Sequence, residues 1–308
     1  MRDRRCFVQF VHPGGEHRPD VGDLKRWNRR EHRRKYLKSP GRYLDGEKMR
    51  EGEIVFWGEW EPESRVLRRY ERASPDEPRF LWEPFFEDHR DGFWRQNTDP
   101  WVFGQCFQYT GCLQHSRRGP TQLRHLTRGS VVLFGSCRAR TRFVIDTVFV
   151  VDDMIEHNAL NWRSQLDRRI TGAYRTVTIE PWYRSPLPAG QSHRLYLGAT
   201  PDLPVGEMFS FFPCRPFNDS SRGFARPEIQ LPGYVTRSLT QGKKIARDLS
   251  IAEIGELWGA VVHQVRDQGL SLGVAAQDPG AGRAGNSQGA PPQVARPCSP
   301  SFAQRTSC

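Results

Sequence analysis

Lysine is scarce in this chain: only six of its 46 basic residues are Lys, and none lies between Lys48 and Lys243. Carboxylate nuclease sites ordinarily keep a Lys beside their acids, so the group Asp146, Asp152, Asp153, Glu156 and His157 lacks its usual companion. Asp152 and Asp153 read instead as the cap and first turn of a helix. Long apolar runs are also missing. One of the longest, FVIDTVFVV at 143–151, is short and broken by Asp146, which argues against a membrane-spanning helix. The N-terminal stretch has basic residues but no apolar core followed by a small-residue cleavage site, so the expectation is a cytoplasmic protein with no membrane partner. No Cys-x-x-Cys pair occurs, and Cys106, Cys112 and His115 lack the spacing of a structural zinc site. Cys6, Cys106, Cys112, Cys137 and Cys214 are expected to be buried free thiols. Phosphate-loop, dinucleotide-fingerprint, Gly-x-Ser-x-Gly and His-Glu-x-x-His patterns are absent, which removes several enzyme classes. No metal and no cofactor is expected.

What the chain does have is positive charge and aromatic rings. The formal net charge is +11, and it is concentrated: KRWNRREHRRKYLK at 25–38 sets eight basic residues against Glu31, a net of +7, leaving +4 for everything else. A helix is expected over 21–38, entered from Asp20 or Asp23. It would align Arg26, Arg29, Arg30, Arg33 and Arg34 along one face, with Lys25 and Lys35 beside them. Crowded guanidinium groups repel one another unless anions lie between them, and phosphates fit there bidentately. A solvated charged face is the plain alternative. HPGGEHRPD at 12–20 leads into this segment. Gly14 and Gly15 permit close approach of a phosphate, whereas His12, Glu16, His17 and Asp20 match no metal-binding pattern.

β-branched and aromatic residues with Gly or Pro punctuation place strands at 5–12, 53–60, 130–135, 142–151, 174–182, 193–199 and 207–213. Helices are expected around 121–127 and 153–168. The clearest one is SIAEIGELWGAVVHQVRDQG at 250–269, with Ser250 and Glu253 as a capping box, an apolar stripe from Ile251 to Val265 and Gly269 at its stop. With few crossover helices, the pattern predicts an α+β fold on a bent or barrel-like mixed sheet with peripheral helices. The single domain spans 1–272, with an aromatic-rich insertion at about 61–120 forming the lid or wall of a pocket. The Gly-, Pro- and Ser-rich stretch 273–308 is expected to be a disordered tail.

GEIVFWGEWEPES at 52–64 poses the sharpest question. Alternation puts Ile54, Phe56 and Gly58 on one side of a strand and Val55, Trp57 and Glu59 on the other, so a strand apolar on both sides is central. Glu59 and Glu61 then emerge at its end around Trp60. A carboxylate beside an indole suits a planar ligand with N–H donors, such as a nucleobase, unless the acids are simply solvated or paired with Arg. NTDPWVFG at 97–104 is a second polar cluster among aromatics. Asn97 and Asp99 fit an Asx-type turn, or Asn97 reads a base edge. The candidate base pocket is therefore Trp57, Glu59, Trp60, Glu61, Trp94, Asn97 and Asp99.

The stretches MREGEIVFWGEW and LTRGSVVLFGS follow one template, Gly-x-(Ile/Val)-Val-(Phe/Leu)-(Trp/Phe)-Gly-(Glu/Ser). They resemble the strand that opens the barrel of PUA-like domains of the EVE, ASCH and YTH type. The chain is also similar in style to the nucleotide-modification-associated domains of bacteria and phage. The resemblance implies a compact bent barrel with an aromatic pocket for a base, often a modified one, at Trp57, Glu59 and Trp60, and a role in DNA modification or defence. The leading expectation is a nucleic-acid or nucleotide-binding protein. A metal-dependent enzyme using carboxylates among Glu59, Glu61, Asp99 and Asp146 is the second reading. A protein partner docking through residues 21–38 is the third.

Overall fold

A computed structural model describes residues 5–19, 33–71, 74–87, 98–116, 118–184, 191–220 and 222–280. Its strands are β1 (Arg5–Val11), β2 (Gly15–Glu16), β3 (Arg33–Asp45), β4 (Lys48–Gly58), β5 (Ser64–Arg69), β6 (Phe80–Pro84), β7 (Gln108–Tyr109), β8 (His115–Ser116), β9 (Gly119–Pro120), β10 (Val131–Arg138), β11 (Arg142–His157), β12 (His193–Gly198), β13 (Phe212–Pro216), β14 (Gly242–Leu249) and β15 (Ser271–Ala276). The α-helices are α1 (Trp162–Leu166), α2 (Gly172–Tyr174), α3 (Glu180–Arg184) and α4 (Ile251–Asp267).

The fold is α+β, built on two bent mixed sheets. The first runs β14-β1-β10-β11-β12-β7, with β1 and β10 parallel and the remaining neighbours antiparallel. The second runs β15-β13-β4-β3-β6-β5, and β15 also pairs with β3. That extra pairing closes β3, β4, β13 and β15 into a ring, the barrel-like part of the molecule. Backbone hydrogen bonds between Val148 of β11 and Phe211, just before β13, tie the two sheets together.

Strand alternation explains why the interior has two apolar clusters. Ile54 and Phe56 of β4 enter one cluster, with Val8, Phe10, Val132 and Phe134. Val55 and Trp57 enter the other, with Phe7, Val11, Val131 and Leu133. Strands apolar on both faces have to lie between two layers, and β1, β4 and β10 do. Gly135 of β10 stands beside a bulge in β11, where Asp146 is the extra residue, and a Cβ added to it would stand 2.2 Å from Val144 O; only glycine fits so close to a neighbouring backbone. Helix α4 covers the second cluster with Ile254, Val261, Val262 and Val265, and its Ser250–Glu253 capping box is formed in both directions.

Four predicted elements differ. The expected helix over 21–38 falls partly outside the described residues, and its described part, from Arg33, is the start of β3. Pairing with β4 over the whole of 35–45 outweighs the local preference. The expected strand at 174–182 is helical: Thr171 caps α2 through its side chain, and a π-helical turn at Arg175–Ile179 joins α2 to α3. Of the expected helix 153–168, residues 153–157 continue β11, paired with β12, and only Trp162–Leu166 is helical. The domain also extends past residue 272. β15 closes the ring, Gln277 N donates to Pro40 O, and Phe86 N donates to Gly280 O. Residues 281–308 of the expected tail lie outside the described part.

In the segment 61–120, Pro75, Asp76, Glu77 and Arg79 form part of the wall of a cleft, whereas most of the described aromatic rings belong to the core. Trp82, Trp101, Phe103, Phe107 and Tyr109 are buried in the first cluster, and Phe93 and Trp94 lie outside the described residues. Cys6, Cys106, Cys112 and Cys214 are buried free thiols, and Cys137 is half-buried. Among the described residues no helix is long and apolar enough to cross a membrane. Ser250→Ala removes one arm of the α4 capping box and should lower the unfolding free energy by about 1 kcal/mol, measured by urea denaturation.

Candidate functional site

The polar ends of β4 and β10 meet where β1 ends. His12, Arg34, Glu59, Ser136, Asp146 and Arg226 are all buried there. Arg34, 1 % exposed, sits at the centre: its Nε is 2.9 Å from Asp146 Oδ2, its Nη2 is 3.2 Å from Glu59 Oε2, and Nη1 donates to Pro13 O at 2.6 Å. Arg226 approaches Asp146 from the other side, with Nη1 donating to Oδ1 at 3.0 Å and to Ser136 Oγ at 2.8 Å, and Nη2 donating to Gly14 O at 2.9 Å. His12 Nδ1 lies 2.9 Å from Glu59 Oε2. Two guanidinium groups and two carboxylates thus satisfy one another without solvent, the condition under which buried ions are tolerated.

The two cations feel this network differently. Burial works against the charge of Arg34, but Asp146 and Glu59 outweigh it and raise its pKa. Burial also works against Arg226, and with Arg34 and Arg138 nearby its pKa falls despite Asp146. Arg226 also lines a cleft.

That cleft, of about 490 Å³, is lined by Gly14, Gly15, Glu16, Arg18, Arg33, Trp57, Asp76, Glu77, Arg79, Arg138, Arg142 and Arg226, with Pro75 and Val144. Six arginines therefore stand against three acids. Asp76 joins Arg138, at 3.2 Å, to Arg142, at 2.6 Å, and hydrogen bonds from these two hold its carboxyl below the usual carboxylate range. Arg138 also donates to Gly14 O at 3.1 Å. Arg18, Arg33 and Arg79 form no ion pair among the described residues. A Cβ on Gly14 would fall 2.0 Å from Ser136 Oγ and 2.9 Å from Arg226 Nη2, so a residue with a side chain would displace the floor of the cleft. A second cleft, of about 700 Å³, has its two cations already paired, Lys38 with Glu53 and Arg65 with Glu83, and adds two more acids, Glu87 and Asp278.

The predicted site residues are dispersed. Gly14, Gly15 and Arg33 line the cleft. Because successive strand residues face opposite ways, Arg34 does not accompany Arg33. Arg34 enters the network, and Lys35 is buried, donating to Pro62 O and Ser64 Oγ. Lys25, Arg26, Arg29 and Arg30 lie outside the described residues, as do Trp94 and Asn97.

The described members of the expected base pocket are buried and bonded within the protein. Trp60 is 1 % exposed, packed on Trp101 and Phe103, with its indole N–H on Glu63 O. Trp57 lines the cleft but is buried, its N–H bonded to Phe224 O and its face beneath the Arg226 guanidinium. Glu59 is held by His12 and Arg34, and Glu61 is buried. Asp99 accepts from the backbone N–H groups of Thr110, Gly111 and Cys112, and burial raises its pKa against those bonds.

The acidic group of β11 is no cluster either. An extended strand carries residues 146 and 157 roughly 35 Å apart. Asp146 is in the network, Asp152 pairs with Arg128, Glu156 pairs with Arg124, and His157 is buried between Thr110 and Tyr183. Among the described residues no group of three or more His, Cys, Asp or Glu is placed to hold a metal ion.

Sequence reasoning missed Arg138 and Arg142, although CRARTR at 137–142, with Arg at every second position between two strands, was a visible signal. Arg79, Asp76 and Arg226 join the cleft from distant loops and had none. No protein-family description, curated protein or solved structure matches this chain.

Asp146→Ala would leave both Arg34 and Arg226 buried and short of a partner, and should cost about 3–5 kcal/mol of stability in urea denaturation. Burial pushes the His157 imidazole down to about 4 from 6.5. The unfolded chain takes up this proton before the folded one does, so stability falls as pH drops across that window, by about 3 kcal/mol in all. Comparing the pH dependence of unfolding for the wild type and His157→Gln should show that share of the slope disappear.

Proposed function

We propose that this protein binds nucleic acid or a nucleotide through the phosphate groups of its ligand, in the cleft at Gly14 and Gly15. The observation that carries the reading is the charge of the lining: six arginines against three acids, with Arg18, Arg33 and Arg79 uncommitted among the described residues. Guanidinium groups keep their charge at any working pH and match phosphate oxygens bidentately. The buried network supports the same reading. It fixes Arg226 in the lining of the cleft through Asp146, Ser136 and the carbonyl of Gly14. The likeness of MREGEIVFWGEW and LTRGSVVLFGS to the opening strand of PUA-like domains points to the same class of ligand. The proposal does not include base discrimination at Trp60, because that ring is sealed in the core.

Affinity for a labelled oligonucleotide, followed by fluorescence anisotropy, should fall steeply as salt rises from about 50 to about 200 mM. Arg33→Ala with Arg79→Ala should weaken binding and reduce the slope of log affinity against log salt by up to about two. Arg65→Ala, in the second cleft and already paired with Glu83, serves as the control and should change neither. Binding that ignores salt, or a double variant indistinguishable from the control, overturns the reading.

A further inference from the structure

The turn between β10 and β11 carries Arg138, Arg140 and Arg142. Arg138 and Arg142 are register partners and face Asp76 at the cleft. Ala139 and Arg140, between them, adopt φ of 49° and 56°. This left-handed region is unfavourable for residues with a Cβ, and a Gly or Asn would occupy it with less strain. Arg140 is exposed and forms no ion pair among the described residues. The fold thus holds an arginine, in an unfavourable conformation, just outside a cleft that already has an excess of arginines. The cleft itself offers no ring to stack on, since Trp57 is buried beneath Arg226. A ligand gripped there by one phosphate would have to run outward, past this turn.

Building on the anion reading of the cleft, we propose that the β10–β11 turn extends it into a track, with Arg140 meeting a further phosphate of the same strand. The physiological ligand is then a phosphodiester chain and not a mononucleotide. The strain at residue 140 fits this role, because strained backbone retained against an easier alternative marks function.

The test uses the full chain and two fluorescent probes, a nucleoside monophosphate and a single-stranded 12-nucleotide DNA, read by anisotropy over a salt series. Wild type should bind the oligonucleotide more tightly than the mononucleotide. Arg140→Gly should weaken oligonucleotide binding about three- to tenfold and lower its salt slope by about 0.7, leaving the mononucleotide unaffected. Arg140→Lys should retain most of the affinity. Arg140→Gly should also melt higher than wild type, because glycine relieves the left-handed strain, so weaker binding cannot be put down to misfolding. If oligonucleotide affinity and slope are unchanged in Arg140→Gly while Arg33→Ala with Arg79→Ala still weakens binding, the track is wrong and the cleft stands. If neither probe binds, or the Arg33 and Arg79 substitutions have no effect, the cleft reading fails and the track with it.

Discussion

One carboxylate shared by two buried arginines organises the centre of this molecule. Asp146 faces Arg34 with one oxygen and Arg226 with the other, so removing it would take a partner from two buried cations at once, leaving Arg34 only Glu59. The elements it joins are distant in sequence: Arg34 opens β3, Asp146 lies within β11, and Arg226 comes from the loop between β13 and β14. Glu59 and His12 extend the network to the ends of β4 and β1. A buried ion pair adds little net stability over an apolar packing of the same volume. Its consequence here is positional. The two sheets meet with a fixed register at this point, and Arg226 is delivered to the cleft floor with its remaining donors on Ser136 and on the carbonyl of Gly14.

The use of arginine rather than lysine fits that arrangement. A planar fork can bind a carboxylate, a hydroxyl and a backbone carbonyl at the same time, which an ammonium does with far less directional control. The scarcity of Lys, read from the sequence as the lack of a nuclease companion, has a second consequence in three dimensions. The cleft and its foundations are built from one kind of cation, whose charge does not depend on pH. The contrast with Lys35 is instructive: its ammonium is buried close to β3 and used for two local bonds to Pro62 and Ser64.

The repeated template GEIVFWGE and GSVVLFGS was legible, and so was much of what followed from it. Both copies are strands buried on two faces, and their last residues, Glu59 and Ser136, both reach the arginine network. The capping box of α4 was equally plain, because its signal is local. Trp60 shows why the rest was not. Two residues past the strand end, its environment is set by Trp101 and Phe103, which fold over it from a segment with no periodicity. The helix expected over 21–38 failed in its described part because an i, i+3, i+4 pattern of charge was read where a strand buried on both faces runs, with Arg34 to Leu37 all buried. Tyr36 and Leu37 enter opposite clusters, as only a strand allows. Gly14 and Gly15 were found through their own chemistry, but most of the arginines around them arrive from elsewhere in the chain.

The ring of β3, β4, β13 and β15 bears on how the protein is made. β3 leaves the ribosome well before β15, one of its two ring partners. Until that strand appears, part of the β3 edge has unpaired backbone groups beside a core still open to water, a state that invites association with other nascent chains. Vectorial synthesis therefore cannot complete this domain piecemeal. The barrel closes only once β15 has been synthesised, and a cell producing it must shelter an open sheet edge until then.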